Sequence, residues 1–565
     1  MTNLRLTLIA VAALLGSCSS LRSDMQGATQ PLACEALPAA LATLSSPPAL
    51  QSVRLTLARE VAADAQGNPA HCLVQGEANP RTGIDGRPYA IGFEMRLPQA
   101  WSGRFVHQVN GGNDGKVVPA LGALGILSRS ALQRGDAVIS SDSGHREDAP
   151  ENAAAGLAKG NVFGLDPQAR RDYGYAANDT VYRVAQALMA GRYGQKPQRS
   201  YMLGCSNGGR HGLVAASRYG ERYDGILAGA PGFNLPRAAV QHAWDVQSWQ
   251  QADADIRRAF SPADMALVGA HVLARCDALD GLADGIVGDL AACQPRVRLS
   301  DLTCAGAKTA QCLSAAQVGA LQRSMAGPRN SRGEALYSDW SWDAGMAAGN
   351  WRFWKLESQI PPWDRLPLIA TMGAGSLSHI FTTPPTATPG TPAELLGFLS
   401  RFDVDRDAPR IFATGGVFDE SAMAFMTPPD VDAPKLATFR ARGGKLLVYH
   451  GHSDAVFSVN DTRRWVERLQ ANGGADAVRF YGVPGMAHCS GGPATDQFDA
   501  LGALVDWVEG GRVPGALVAT VNPASKDLPA DWSAQRSRLL CPHPQLARYI
   551  SGDPESAASF GCVAP

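Results

Sequence analysis

Six short apolar runs each stop at a Gly-rich or polar turn, and that repetition leaves few folds open. Residues 105–109 lead into Asn110-Gly111-Gly112, 137–139 into Ser140-Ser141-Asp142, and 201–203 into Gly204. Later, 226–228 lead into Gly229-Ala230-Pro231-Gly232, 446–449 into His450-Gly451-His452, and 478–483 into Pro484-Gly485. Between them lie stretches of helical periodicity at 179–193, 207–219, 462–469 and 497–508. Strands that alternate with helices predict a mostly parallel α/β sheet, with functional groups on the loops that leave the strand ends. The alternation stops between about 232 and 434, a stretch rich in Trp, Pro, Asp and small residues, and resumes at 446. The expected organisation is an α/β domain made from 19–231 and 435–565, interrupted by an inserted domain at 232–434.

At the N-terminus a basic residue precedes an apolar run at 6–15 and then Gly16-Ser17-Cys18, the composition of an export signal over residues 1–18. That run is too short to span a bilayer as a helix, and no later segment is long and apolar enough. Leu15-Gly16-Ser17-Cys18 also resembles a bacterial lipoprotein signal, which implies an exported chain with a lipid anchor at Cys18 and an outer-membrane or periplasmic location. Acidic and basic residues nearly cancel, 52 against 51, so the basic footprint of a nucleic-acid binder is missing.

An exported chain with ten further cysteines is expected to form disulfides. Proximity suggests Cys34 with Cys72, Cys276 with Cys293, Cys304 with Cys312, and Cys541 with Cys562, which leaves Cys205 and Cys489. Sequence alone permits many other connectivities for ten cysteines.

Gly204-Cys205-Ser206-Asn207-Gly208 fits G-x-S-x-G directly after an apolar strand and directly before a helical stretch, the context of a nucleophile elbow. Ser206 is the candidate nucleophile. A serine hydroxyl needs a base and the base an orienting acid, in the chain order Ser, Asp/Glu, His for such a sheet. Asp454 follows the 446–449 strand and His488 follows the 478–483 strand, so they are the candidate acid and base. His450 and His452 compete as base but precede the acid. Backbone N–H groups of Asn207 and Gly112, with Gly111 as a near alternative to Gly112, are the candidate oxyanion donors. Cys205 adjoins Ser206 and Cys489 adjoins His488, and a bond between them would pin the nucleophile loop to the base loop.

With Cys-Ser, Asp and His-Cys on the page, the chain resembles the tannase and feruloyl esterase family of α/β-hydrolases. The resemblance covers most of the chain, from Asn110-Gly111-Gly112 through the elbow to the late His-Cys. It implies an α/β-hydrolase fold with a large lid, five disulfides in the order given above, and a calcium loop in the lid. Cys276-Asp277-Ala278-Leu279-Asp280-Gly281-Leu282-Ala283-Asp284-Gly285-Ile286 supplies hard oxygen donors without the spacing of an EF-hand. The resemblance implies side-chain ligation by Asp277, Asp280 and Asp284, and carbonyl ligation by Leu282 and Ile286. No organic cofactor is expected.

Seven of the eleven tryptophans (244, 249, 340, 342, 351, 354 and 363) fall in the insertion, where an aromatic acyl group would find partners, although a lid core explains most of them. Phe457 sits where the family's acid loop lines the acyl pocket. The expected activity is hydrolysis of a small aromatic ester of the feruloyl, galloyl or terephthaloyl type through an acyl-enzyme. The alternatives are a lidded serine peptidase and a noncatalytic polyphenol-binding surface protein.

Overall fold

A computed structural model describes residues 30–44 and 52–565. The export signal and Cys18 lie outside the described residues. Nine strands form one mixed sheet in the order β1-β2-β3-β5-β4-β6-β7-β8-β9. They are β1 (Arg54–Val61), β2 (His71–Thr82), β3 (Pro88–Pro98), β4 (Arg104–Gln108), β5 (Ala137–Ser141), β6 (Arg199–Cys205), β7 (Gly225–Gly229), β8 (Lys445–Gly451) and β9 (Val478–Val483). From β5 to β9 every neighbouring pair is parallel, while β1, β2 and β3 form an antiparallel meander that joins the sheet through β3 and β5. The meander was not among the expected strands. Charged residues such as Arg59, Glu60, Glu77, Glu94 and Arg96 interrupt its strands, so no long apolar run marks it.

The parallel strands read as apolar runs because both of their faces are covered. Tyr201, Leu203, Leu447 and Tyr449 pack on one side with Leu501, Leu504 and Trp507 of the helix Ala500–Gly510. Met202, Leu446 and Val448 point to the other side, against Leu213, Trp465 and Val466. That alternation of period two fixes the register of the central strands.

Between β7 and β8 lies a layer of helices, including Leu235–Ala252, Pro262–Cys276, Ala315–Met325 and Gly349–Lys355. Its apolar core joins Trp249, Trp351, Leu321 and Leu377, and also takes Phe163, Tyr173, Val456 and Phe457 from outside 232–434. The last stretch of chain leaves the main sheet altogether and forms two small antiparallel pairs, Leu517–Thr520 with Ser537–Leu540 and Leu546–Tyr549 with Phe560–Val563. Five disulfides join Cys34–Cys72, Cys205–Cys489, Cys276–Cys293, Cys304–Cys312 and Cys541–Cys562. Among the described residues, no helix is long and apolar enough to cross a membrane.

Candidate active site

Ser206 stands between the end of β6 and the helix Asn207–Arg218 with φ 66° and ψ −125°, a left-handed conformation that is strained for any residue with a Cβ. The flanking glycines explain how the turn closes. A Cβ on Gly204 or Gly208 would run into the Val109 carbonyl at the end of β4, and one on Gly209 would collide with the Gly229 carbonyl. Small residues therefore let the helix start against the strand ends. The Asn207 N–H lies in the first turn of that helix, where the unpaired amides of a helix start face outward.

The Gly-rich loop after β4 meets the elbow. Gly111 lies within van der Waals reach of Ser206, since a Cβ there would stand 3.6 Å from the Ser206 Cβ, and Gly112 has a left-handed φ of 62°. Two residues on, Asp114 accepts a 2.8 Å hydrogen bond from the Asn207 amide and lies 3.0 Å from His211 Nε2. Burial pushes the Asp114 carboxyl up to about 7 despite the nearby His145 and Arg210. Arg210, itself fully buried, donates to Asn207 Oδ1 at 2.6 Å and to the Tyr173 and Gly174 carbonyls. The two loops that carry the candidate oxyanion donors are thus tied together by side chains beneath them. Asp114 and Arg210 escaped the sequence reading, although both stand within four residues of a motif that it used.

Asp454 and His488 come together on the loops after β8 and β9. Asp454 Oδ2 is 2.8 Å from His488 Nδ1, and its Oδ1 accepts from the Val456 and Phe457 N–H groups at 2.7 and 3.0 Å. Burial alone would raise this carboxyl. The His488 and His450 imidazoles and the hydrogen bonds to them win, and hold it well below the ordinary carboxylate range. An ionised Asp454 fixes the His488 tautomer with its proton on Nδ1 and leaves Nε2 as the acceptor. The Cys205–Cys489 disulfide links the residue before Ser206 to the residue after His488 across 284 positions of sequence.

His450 does not compete as base, because it is buried with Nδ1 on Thr462 Oγ1 and Nε2 on the Phe457 carbonyl, each at 3.0 Å. His452 faces a cavity of about 410 Å³ behind the base loop, lined also by Ile286, Leu290, Val459, Phe480 and Leu540 and by none of the three triad candidates. Burial, helped by His450, pushes its imidazole down to about 3.

Aromatic rings flank His488. Phe457 meets it edge to face at 5.6 Å and Trp354 at 5.1 Å. Phe457 is almost wholly buried and abuts Gly232, whereas Trp354, at the end of Gly349–Lys355, is partly exposed. Among the insertion's tryptophans, Trp249, Trp340 and Trp351 are buried in the layer's core, and Trp354 is the one whose ring meets the candidate base. Tryptophan content pointed to the region but could not separate one role from the other.

In the acidic loop, Asp277 accepts from the Asp284 and Gly285 N–H groups, Asp280 from the Leu282 N–H, and Asp284 is paired with Arg538 of the C-terminal segment. Burial first, then the neighbouring Asp284 and Asp277 carboxylates, push the Asp280 carboxyl up to about 7. A buried carboxylate crowded by two others, on a loop rich in backbone oxygens, has the donor chemistry of a hard-cation site. These carboxylates lie near one another without forming a ready ligand set, and among the described residues no group of three His, Cys, Asp or Glu side chains could hold a metal ion.

A mixed sheet of this order, with Ser, Asp and His candidates on the loops after β6, β8 and β9, defines an α/β-hydrolase-type protein. The family model for tannase and feruloyl esterase matches residues 72–563, and the chain belongs to that family of ester hydrolases. It is 42% identical to the mono(2-hydroxyethyl) terephthalate hydrolase of Piscinibacter sakaiensis, over 94% of this chain and 92% of that one. It is 27% identical to a probable feruloyl esterase of Arthroderma benhamiae, over 83% of this chain and 81% of that one. Among solved structures, feruloyl esterase B from Aspergillus oryzae shares the fold with a TM-score of 0.70 at 21% identity, covering 94% of this chain and all of that one. Tannin acyl hydrolase from Aspergillus niger gives 0.62 at 20% identity, covering 93% and 94%.

Proposed function

We propose that this chain is an exported serine esterase that hydrolyses carboxylic esters of aromatic acids through an acyl-enzyme. The observation that carries the reading is the buried Asp454–His488 pair at 2.8 Å, held by a disulfide to the strained turn that presents Ser206. His488 Nε2 takes the Ser206 proton as Oγ attacks the ester carbonyl, and Asp454 steadies the imidazolium that results. The oxyanion is met by the N–H groups of Asn207 and Gly112. Collapse breaks the ester C–O bond, and His488 gives its proton to the departing alcohol. Water then attacks the acyl-enzyme with His488 as base, releasing the acid and restoring Ser206.

The rings of Trp354 and Phe457 on either side of His488 favour a planar aromatic acyl group. Feruloyl, galloyl and terephthaloyl esters all satisfy that chemistry. Five disulfides suit an oxidising compartment and therefore export, and Cys18 is the proposed lipid attachment. Asp277, Asp280 and Asp284, with the Leu282 and Ile286 carbonyls, would hold a calcium ion whose contribution is to brace the lid loop against Arg538 and the C-terminal segment. Metal analysis of protein purified without chelator checks this.

The test of the esterase reading is turnover of methyl ferulate, methyl gallate and mono(2-hydroxyethyl) terephthalate by the wild type and Ser206→Ala. Hydrolysis by the wild type with a loss of about 10⁴-fold or more in the variant is expected. Equal rates in both would overturn it.

A further inference from the structure

The inserted layer does more than cover the site. Residues 337–345 run along the acid loop: Tyr337 Oη accepts from the Ser458 N–H at 3.1 Å, the Asp339 carbonyl accepts from Ser458 Oγ at 2.5 Å, and Ser341 Oγ donates to Asn460 Oδ1 at 3.0 Å. At the end of this run Asp343 is fully buried. Its Oδ2 accepts from Ser453 Oγ at 2.7 Å and from the Gly485 N–H at 2.9 Å, while Oδ1 accepts from the Ala344 N–H at 2.9 Å. Ser453 immediately precedes Asp454, and Gly485 lies three residues before His488. One carboxylate oxygen therefore joins the loop of the acid to the loop of the base.

The backbone confirms how close the approach is. A Cβ on Gly345 would collide with Ser453 Oγ and come within 2.6 Å of the Gly485 carbonyl, so only glycine fits beneath the two loops. The loops also touch each other, with the Ser453 N–H on the Met486 carbonyl at 3.0 Å. Burying a carboxylate among neutral donors costs free energy that an apolar residue would not. Burial pushes the Asp343 carboxyl up, and its presence in that position is explained by the two loops it joins.

We propose that Asp343 is a positioning residue: by accepting from Ser453 and Gly485 at once, it sets the separation of the acid and base loops and hence the Asp454–His488 contact. The inference rests on the triad proposed above. It makes the inserted layer a structural member of the catalytic centre, although Asp343 touches neither Ser206 nor substrate.

The experiment compares wild type, Asp343→Asn and Ser453→Ala. Asparagine keeps the volume but replaces one acceptor oxygen with a donor, so it must oppose one of the N–H or O–H groups now facing the carboxylate. Ser453→Ala removes one link and leaves Gly485 in place. Three readouts are taken: the rate at which a fluorophosphonate labels Ser206, the pH dependence of that rate, and the downfield proton signal of the Asp454–His488 hydrogen bond. Asp343→Asn is expected to slow labelling by about 10- to 100-fold, the scale of small misplacements of catalytic groups, and to move or broaden the downfield signal. Ser453→Ala is expected to do the same more weakly. Both variants should move the acidic limb of the pH profile.

If folded variants label with the wild-type pH profile and keep the wild-type proton signal, the proposal is overturned. If Asp343→Asn does not fold, Ser453→Ala decides by the same readouts. The proton signal reads the Asp454–His488 geometry without turnover. A wild type that shows the signal but never labels would count against Ser206 and the esterase reading, while the effect of Asp343 on the signal would still decide this inference.

Discussion

The parallel half of the sheet and the inserted helical layer solve the same problem, burial of a large apolar core, by different means. In the strands β4 to β9 the backbone groups pair with their neighbours in the ladder, and side chains divide between two apolar faces. The layer's helices have no ladder between them, and buried polar side chains tie them together. Lys355 and Asp245, both fully buried, meet at 2.5 Å, and Asp245 also accepts from Gln241 and Ser324. Arg170, fully buried, donates to the carbonyls of Gly164, His379 and Thr382. Geometry in the sheet is distributed over many backbone bonds, whereas in the layer it is concentrated in a few side chains. A single substitution should therefore reach further in the layer than in the sheet.

The largest effect is nevertheless expected at a strand end. Asp454→Asn should lower kcat/KM by about 10⁴-fold, because the amide favours the wrong imidazole tautomer. Steady-state kinetics with circular dichroism as a check on folding would measure it, and retention of a tenth of the activity would place the acid elsewhere. Because Asp454 is held below the ordinary carboxylate range, its contribution to stability is fully present above about pH 4 and is lost only as pH falls through the depressed value.

The comparison itself is sharpened by Lys355→Ala against Arg104→Ala. The first leaves Asp245 charged and buried without its cation and should cost about 3–5 kcal/mol. The second breaks a partly exposed pair with Glu509 at the start of the central strand β4 and should cost about 1 kcal/mol or less. Denaturant midpoints measure both, and equal losses would break the contrast drawn here.

The same contrast explains what could be read in the sequence. All six parallel strands follow from apolar runs that end at turns, and Ser206, Asp454 and His488 follow from their places just after three of them. Periodicity and chain order are local or linear signals. Asp343 and Trp354 make contacts with residues far apart in sequence, so nothing around them marks their role. Asp343 sits in Trp-Asp-Ala-Gly, and only the fold shows that its carboxylate lies under two loops more than 100 residues away. The charged meander β1 to β3 was hidden for another reason, since charged residues interrupt its strands and leave no long apolar run.

Trp354 tests whether the layer contributes to recognition as well as to form. Its partly exposed ring meets His488 edge to face at 5.1 Å and packs only on the rim of the layer's core, so truncation should remove a wall of the acyl site. Trp354→Ala is expected to lower kcat/KM for methyl ferulate by about 10-fold, on the scale of a buried aromatic contact, and to change p-nitrophenyl acetate hydrolysis little. Equal losses on both esters would assign the ring to support of His488 instead.

The smallest effect concerns acid. His107 on β4 and His242 in the layer are both pushed down to about 3, in each case chiefly by burial, with His211 and Lys355 respectively adding to it. The folded protein keeps them neutral, while the unfolded chain protonates them near pH 6.5, so below that pH the unfolded state binds more protons and stability falls. Each such histidine adds at most about 1.4 kcal/mol of loss per pH unit. His242→Gln, which cannot titrate, should therefore lower the acid slope of the unfolding free energy by about one proton relative to wild type. Chemical denaturation at pH 7.5, 6.5 and 5.5 measures that slope. If it is unchanged, His242 is protonated in the folded layer, and the layer's polar network accommodates a charge that burial alone would refuse.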